Sequence, residues 1–221
     1  MAPLAIQVIP MPHDVLVRNL EVKDLPGVSA IHMSAFPSSA LTQLGIEAVR
    51  RNYEWLLLGP HEVVAFGAFT QGKTVGFCFG GRFHRAMSGF MRTNLLFLTW
   101  RVFTHPWLVA NPIFRERLTE GMRILKRFAK PKSYVQYAPA SFESSFGILA
   151  IAVHPQYQGL NVGKLLMKES EANARRRGFR KMSLTVHPDN HQAITFYERL
   201  DWKKFSKNGM WEGMMRKSLD C

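Results

Sequence analysis

Acidic side chains are scarce in this chain: 16 Asp and Glu stand against 29 Lys and Arg in 221 residues, a formal net charge of +13. Cysteine is scarcer, with Cys78 in an apolar run and Cys221 at the end. Two such residues make neither a disulfide framework nor a metal-binding spacing, so a reduced, cytoplasmic protein without a metal is expected. Long apolar runs are missing as well. No window offers about eighteen apolar residues free of charge, which excludes a spanning helix on sequence grounds. The opening MAPLAIQVIPMPHD lacks a basic start and an uninterrupted apolar stretch, so 1–13 reads as a flexible lead-in and not as a signal peptide. The terminal SLDC places its cysteine last and is no prenylation box. What remains is a hydrophobic share of 47%, enough for a core, in a length that fits one domain over 1–221.

The most informative stretch is 151–197. The apolar run Phe146–Val153, with Ser and Gly at its start and His154-Pro155 after it, reads as a strand buried on both faces. Val162, Leu165, Leu166, Glu169, Ala172, Asn173 and Arg176 then follow a helical pattern that stops at Gly178. Between strand and helix lies Gln158-Gly159-Leu160-Asn161-Val162-Gly163-Lys164. Two glycines allow close backbone approach, and Asn161 is one of the few other residues that tolerates a left-handed conformation. A loop feeding a helix N-terminus aims free N–H groups and the positive dipole end at one place, which suits a pyrophosphate, and Lys164 adds charge there.

Upstream, 15–20 alternates as a first strand, and 22–26 opens a helix carrying Val28, Ile31, His32 and Ala35. A second helical stretch is predicted over 38–58, with Leu41, Leu44, Ala48, Tyr53 and Leu56 on its apolar stripe. Glu62–Thr70 and 74–80 read as an antiparallel hairpin joined by Gln71-Gly72-Lys73. Downstream, 182–186 is a strand, and 202–205 with 210–217 reads as a closing strand pair.

The loop is neither common phosphate motif. Gly159 and Gly163-Lys164 approach G-x-x-x-x-G-K-S/T one residue short, and Leu165 stands where magnesium would need Ser or Thr; G-x-G-x-x-G is absent. The segment resembles the acyl-CoA-binding core of the GNAT acetyltransferase superfamily. Gln156-Tyr157-Gln158-Gly159-Leu160-Asn161 matches that family's Q/R-x-x-G-x-G/A, with Asn161 as a departure, and Val153-His154-Pro155 precedes it as V-x-P. Asn190-His191-Gln192-Ala193-Ile194-Thr195-Phe196-Tyr197 matches N-x-x-A-x-x-F-Y, followed by Leu200-Asp201-Trp202 in place of L-G-F. The resemblance implies an α+β three-layer fold: a mixed, mostly antiparallel sheet flanked by helices, with the acyl-CoA-binding core at 146–202.

The implied chemistry is acyl transfer from a CoA thioester, acetyl-CoA above all, to a primary amine of a small acceptor, without a metal. By resemblance, the edge of Ile151, Ala152 and Val153 pairs with the pantetheine amides. The backbone of Gln158, Gly159, Leu160, Asn161, Val162, Gly163 and Lys164 holds the pyrophosphate, and Asn190 lies near the pantetheine arm. Tyr197 is the expected acid for the departing thiolate. The family's usual base, a Glu near position 147, is replaced here by Gly147. Glu143, His187 and His154 stand as alternatives, and some members need no dedicated base.

One segment exceeds the family's minimal core. From 82 to 132 there are eleven Lys or Arg against Glu116 and Glu120, a net of nine of the chain's thirteen positive charges. Apolar residues alternate with them, and helices broken between Thr104-His105-Pro106 and Pro112 explain the pattern over 83–135. Three readings stay open for this insert: a helical cap, a lid drawing an anionic acceptor or an acyl carrier protein, and a peripheral contact with an anionic membrane. Nucleic acid has charge alone in its favour, with no reader motif. A longer-chain acyltransferase, a catalytically weak acyl-CoA-binding module and a homodimer are compatible with the same sequence.

Overall fold

The computed structural model describes residues 15–83, 86–105, 145–206 and 209–219. Seven strands form one mixed sheet: β1 (Leu16–Asn19), β2 (Glu62–Thr70), β3 (Lys73–Arg82), β4 (Phe146–Val153), β5 (Lys181–Thr185), β6 (Lys203–Lys204) and β7 (Met214–Ser218). Their order is β1-β2-β3-β4-β5-β7-β6, and β4 with β5 is the parallel pair among otherwise antiparallel neighbours. Helices cover both faces: α1 (Leu25–Ala35), α2 (Ala40–Gln43) and α3 (Ile46–Leu58) precede the hairpin; α4 (Ala86–Thr93) and α5 (Leu95–Thr104) follow it; α6 (Val162–Arg176) and α7 (His191–Glu198) flank β5.

Alternation along the central strands divides the core into two layers. Phe66, Ala68 and Cys78 point toward α6, where Val162, Leu166, Met167 and Ala174 are buried. Ala65, Phe69, Phe77 and Phe79 point the other way, onto Leu25, Val28 and Ile31 of α1 and Val49, Tyr53 and Leu56 of α3. The β2–β3 hairpin closes on Gln71 (φ 48°) and Gly72 (φ 75°), two left-handed residues as a type I′ turn requires. The turn is thus one residue shorter than the sequence suggests, because Lys73 already pairs with Thr70.

The single helix expected over 38–58 is two. Ser39 caps α2 by accepting from the Thr42 N–H, and α3 begins afresh after Gly45, whose φ of 93° no helix accommodates. α4 and α5 lie along the outer side of α3. The Trp55 indole donates to the Ala86 carbonyl at 2.9 Å, the Arg51 guanidinium sits 4.2 Å from the Phe97 ring centre, and Arg101 Nε donates to the Leu44 carbonyl at 2.8 Å. Gly89 is needed for this contact, since a Cβ there would lie 2.3 Å from the Trp55 ring. The two helices are separated at Asn94, a division the sequence reading does not include, while α5 ends at Thr104 with His105 as its C-cap, where the expected break begins; the insert beyond His105, like Glu143, lies outside the described residues.

β4 is not buried on both faces. Its register with β5 covers Phe146↔Met182, Gly147↔Ser183 and Ile148↔Leu184 and then stops, while β4 continues to Val153. On its other side Phe79 pairs with Ala150 and Gly80 with Ile148, so Leu149 is an unpaired bulge residue and is 48% exposed in the middle of the sheet. Bulges bend the strand that carries them. β5 ends after five residues, and the two parallel strands part into a fork.

Candidate active site

The fork is bounded by the free part of β4, the start of α6 and the end of α7. After Val153 the chain makes a 3-10 turn (Pro155–Tyr157), and the Gln158 side chain reaches back to donate to the Val153 carbonyl at 3.2 Å. Gly159 (φ 79°) and Asn161 (φ 60°) are both left-handed. No atom lies within 4 Å of a Cβ built on Gly159, so its dihedral and not crowding calls for glycine. Asn161 is the N-cap of α6, and the first helical bond runs from the Leu165 N–H to its carbonyl at 3.0 Å. The N–H groups of Val162, Gly163 and Lys164 therefore precede the helical ladder and point out of its positive end. No acidic residue lies in this first turn, and Lys164 is exposed. These donors suit a doubly anionic pyrophosphate.

Other loop residues have structural duties. Val162 is buried in the core beside Leu166, and Leu160 packs against the same cluster. A Cβ on Gly163 would come within 3.2 Å of the Phe196 ring, so this glycine lets α6 meet α7. We expect Gly163→Val to push the two helices apart, misplace the orphan N–H groups and weaken coenzyme A binding about tenfold, a loss of order 1.4 kcal/mol. Isothermal titration checks it, and an unchanged affinity would detach the loop from the cofactor.

Asn190 is the N-cap of α7; its side-chain oxygen accepts from the Ala193 N–H at 3.0 Å. It thereby fixes the helix that carries Tyr197. The Tyr197 ring is buried, tilted against Phe196 at 5.2 Å and Trp202 at 6.0 Å. Its hydroxyl makes no side-chain or backbone hydrogen bond among the described residues. Burial, with a smaller contribution from Cys78, pushes this phenol well above its ordinary pKa, so the proton is held throughout the neutral range. Cys78 itself is no nucleophile: burial lifts its thiol to about 12, and Ser170 donates to its sulfur at 3.2 Å.

The basic partner is not found on β4, which has no titratable side chain. Gly147 lies in register between Gly81 and Ser183. His154 and His187 occupy matching places where the two parallel strands end in Val-His-Pro. Each uses Nδ1 to accept an N–H two residues on, from Gln156 and from Asp189, both at 3.3 Å. They close turns, and among the described residues neither makes a hydrogen bond or ring contact with Tyr197.

A buried network that the sequence does not disclose lies on the other face. Thr42 donates to the Phe36 carbonyl at 2.7 Å, which leaves Ser39 to donate to Thr42 at 2.9 Å. The Ser39 proton being spent, His32 Nε2–H is the donor to Ser39 at 3.3 Å, and bare Nδ1 accepts the Tyr53 hydroxyl at 2.8 Å. Both ring nitrogens are committed, so His32 is a structural tie between α1, the 36–45 elbow and α3, and no base. Its burial lowers the imidazole to about 4.

Known proteins share this architecture. The structure superposes on the PaiA N-acetyltransferase of Thermoplasma acidophilum, solved with coenzyme A, at a TM-score of 0.55 and 13% identity, covering 92% of this chain and 98% of that one. YncA, a putative acetyltransferase of Salmonella typhimurium solved with acetyl-CoA, gives 0.55 and 16%, covering 94% and 95%. The ribosomal-protein-S18-alanine N-acetyltransferase of Escherichia coli gives 0.54 and 16%, covering 94% and 95%. At these identities the likeness concerns the fold. In sequence, 64 residues are 33% identical to the mycothiol acetyltransferase of Geodermatophilus obscurus, which is 29% of this chain but only 21% of that protein. The model of the acetyltransferase (GNAT) family matches residues 25–202. With the forked mixed sheet and the orphan amides at the start of α6, that match means that the chain belongs to the acetyltransferase (GNAT) family.

Proposed function

We propose that this protein transfers an acetyl group from acetyl-CoA to a primary amine of a small, anionic acceptor. The observation that carries this reading is the continuity of the fork: it runs from the orphan amides of α6, along the edge of β4 that β5 leaves free, to α7 and its buried Tyr197. The neighbours solved with coenzyme A and with acetyl-CoA share this fold.

The residues fit the cofactor. The amides of 162–164 and the exposed Lys164 would hold the pyrophosphate, and the free edge of Ile151, Ala152 and Val153 would pair with the pantetheine arm, like an added strand. The Val153 carbonyl already receives Gln158, which ties the loop to that edge. Leu149, exposed at the bulge, gives the fork an apolar wall that the sequence does not reveal as such.

The cofactor supplies a thioester carbon. As the acceptor nitrogen bonds to it and the carbon–sulfur bond breaks, the Tyr197 hydroxyl gives its proton to the leaving sulfur. The amine has to lose a proton to be nucleophilic. Since β4 offers no base, we assign that proton to water, with the phenol re-protonated from solvent before the next turnover. A net charge of +13 raises the local concentration of anionic acceptors.

Amine acceptors screened with acetyl-CoA and with longer acyl donors, following release of the free thiol, test the reading. Amine-dependent release with the acetyl donor is expected, greatest for acceptors that also carry a negative group. Release only with long-chain donors would make the protein a different acyltransferase. Measurable coenzyme A binding with no release for any amine would make it a binding module.

A further inference from the structure

We propose that the outer face of α5 docks on an anionic lipid surface. Leu96, Trp100 and Phe103 are 87%, 66% and 77% exposed. They follow one another at i, i+4 and i+7 and so form a single stripe. Helices of globular proteins turn such a stripe inward. Here the inward positions are filled by other residues: Phe97 lies beneath Arg51, and Arg101 reaches the Leu44 carbonyl. The large apolar side chains are therefore left over on the side facing away from α3. The Trp100 and Phe103 rings lie side by side, 6.1 Å between centres and 31° between planes.

Charge selects the partner. Residues 86–105 contain Arg92 and Arg101 and no Asp or Glu. The nearest acids across the contact, Glu47 and Glu54, are paired with Arg50 and Arg51 on α3. In sequence, 82–132 carries nine of the chain's thirteen net positive charges. An apolar stripe with Trp and Phe, on a helix pair that carries arginine and no acid in a chain of net charge +13, matches the acyl boundary beneath anionic headgroups. The contact is peripheral, because no helix among the described residues is long and apolar enough to cross a bilayer. A planar bilayer also matches the shape, as one convex helix can lay its stripe on a flat surface without a groove to receive it. The proposal is independent of the transferase reading: none of these residues belongs to the fork.

Sedimentation of the full chain with vesicles tests it. The wild-type protein should pellet with mixed phosphatidylglycerol–phosphatidylcholine vesicles, less so as salt rises, and should stay in the supernatant with phosphatidylcholine alone. The double variant Trp100→Gln with Phe103→Gln, at exposed positions and without change of charge, should keep its melting temperature and coenzyme A affinity but bind anionic vesicles at least ~10-fold more weakly. Wild-type protein that stays in the supernatant with anionic vesicles overturns the proposal. So does equal binding by the double variant, which would leave charge as the whole cause. A wild-type dimer in light scattering that the double variant abolishes would give the face to a second copy. Iodide quenching that fails to reach Trp100 without vesicles, measured against Trp100→Phe, would give it to the protein's own chain.

Discussion

Tyr197→Phe should lower turnover by about 100-fold or more while leaving coenzyme A affinity and the melting temperature near wild type. The substitution removes one oxygen and keeps the ring. Packing against Phe196 and Trp202 is retained, and no hydrogen bond is lost, because the hydroxyl makes none among the described residues. A side chain that merely packed would thus be nearly silent on replacement. As the acid for the departing sulfur, by contrast, it is replaced by nothing: Cys78 lies in the core with its thiol at about 12 and engaged by Ser170. The loss should fall on kcat, with kcat/KM following it, since an interaction made only as the carbon–sulfur bond breaks leaves ground-state binding alone. Steady-state thiol release paired with titration calorimetry decides the matter. Unchanged kcat would assign Tyr197 to packing, and lost coenzyme A affinity would assign it to binding.

The signal for the glycine loop before α6 was local, and therefore legible. Gly159 and Asn161 are special because of their own dihedrals, and residue type alone reports that. Gly163 looks the same in sequence but answers to Phe196, on another helix. The fork was invisible for the same reason. The sequence of β4 reads as a continuous buried strand, and what exposes Leu149 is a bulge against β3 and the early end of β5. The helix over 38–58 divides because Gly45 takes a positive φ, a freedom that the apolar stripe running through it conceals. His154 and His187 have the side chain of a base and the duty of a turn. Only their Nδ1 partners distinguish the two. The family motifs located Tyr197, while its burial and Asn190's work as the cap of its helix needed the structure.

His32 should make the fold acid-sensitive in a window that belongs to it. Burial holds the folded imidazole at about 4, against an ordinary value of 6.5, so between those limits the unfolded chain binds a proton that the folded chain refuses. Stability from this group is complete above pH 6.5 and is lost progressively as the pH falls toward 4. The full difference is roughly 3 kcal/mol, with about 2 kcal/mol gone by pH 5. That is a sizeable part of the 5–15 kcal/mol typical of a folded domain. Two carboxylates shifted in the folded state act lower on the scale. The Arg18 guanidinium holds Asp24 below the usual range, and Arg50, with Arg51, holds Glu47 at about 2. Their contributions disappear only as the pH passes below the ordinary carboxylate values. Urea unfolding at pH 8 and pH 5, for wild type and His32→Gln, isolates the effect. The variant should be weaker at pH 8, having lost the Tyr53–His32–Ser39 chain, yet lose about 2 kcal/mol less than wild type on moving to pH 5. Equal losses for the two proteins would show that His32 takes up its proton without opening the tie between α1 and α3.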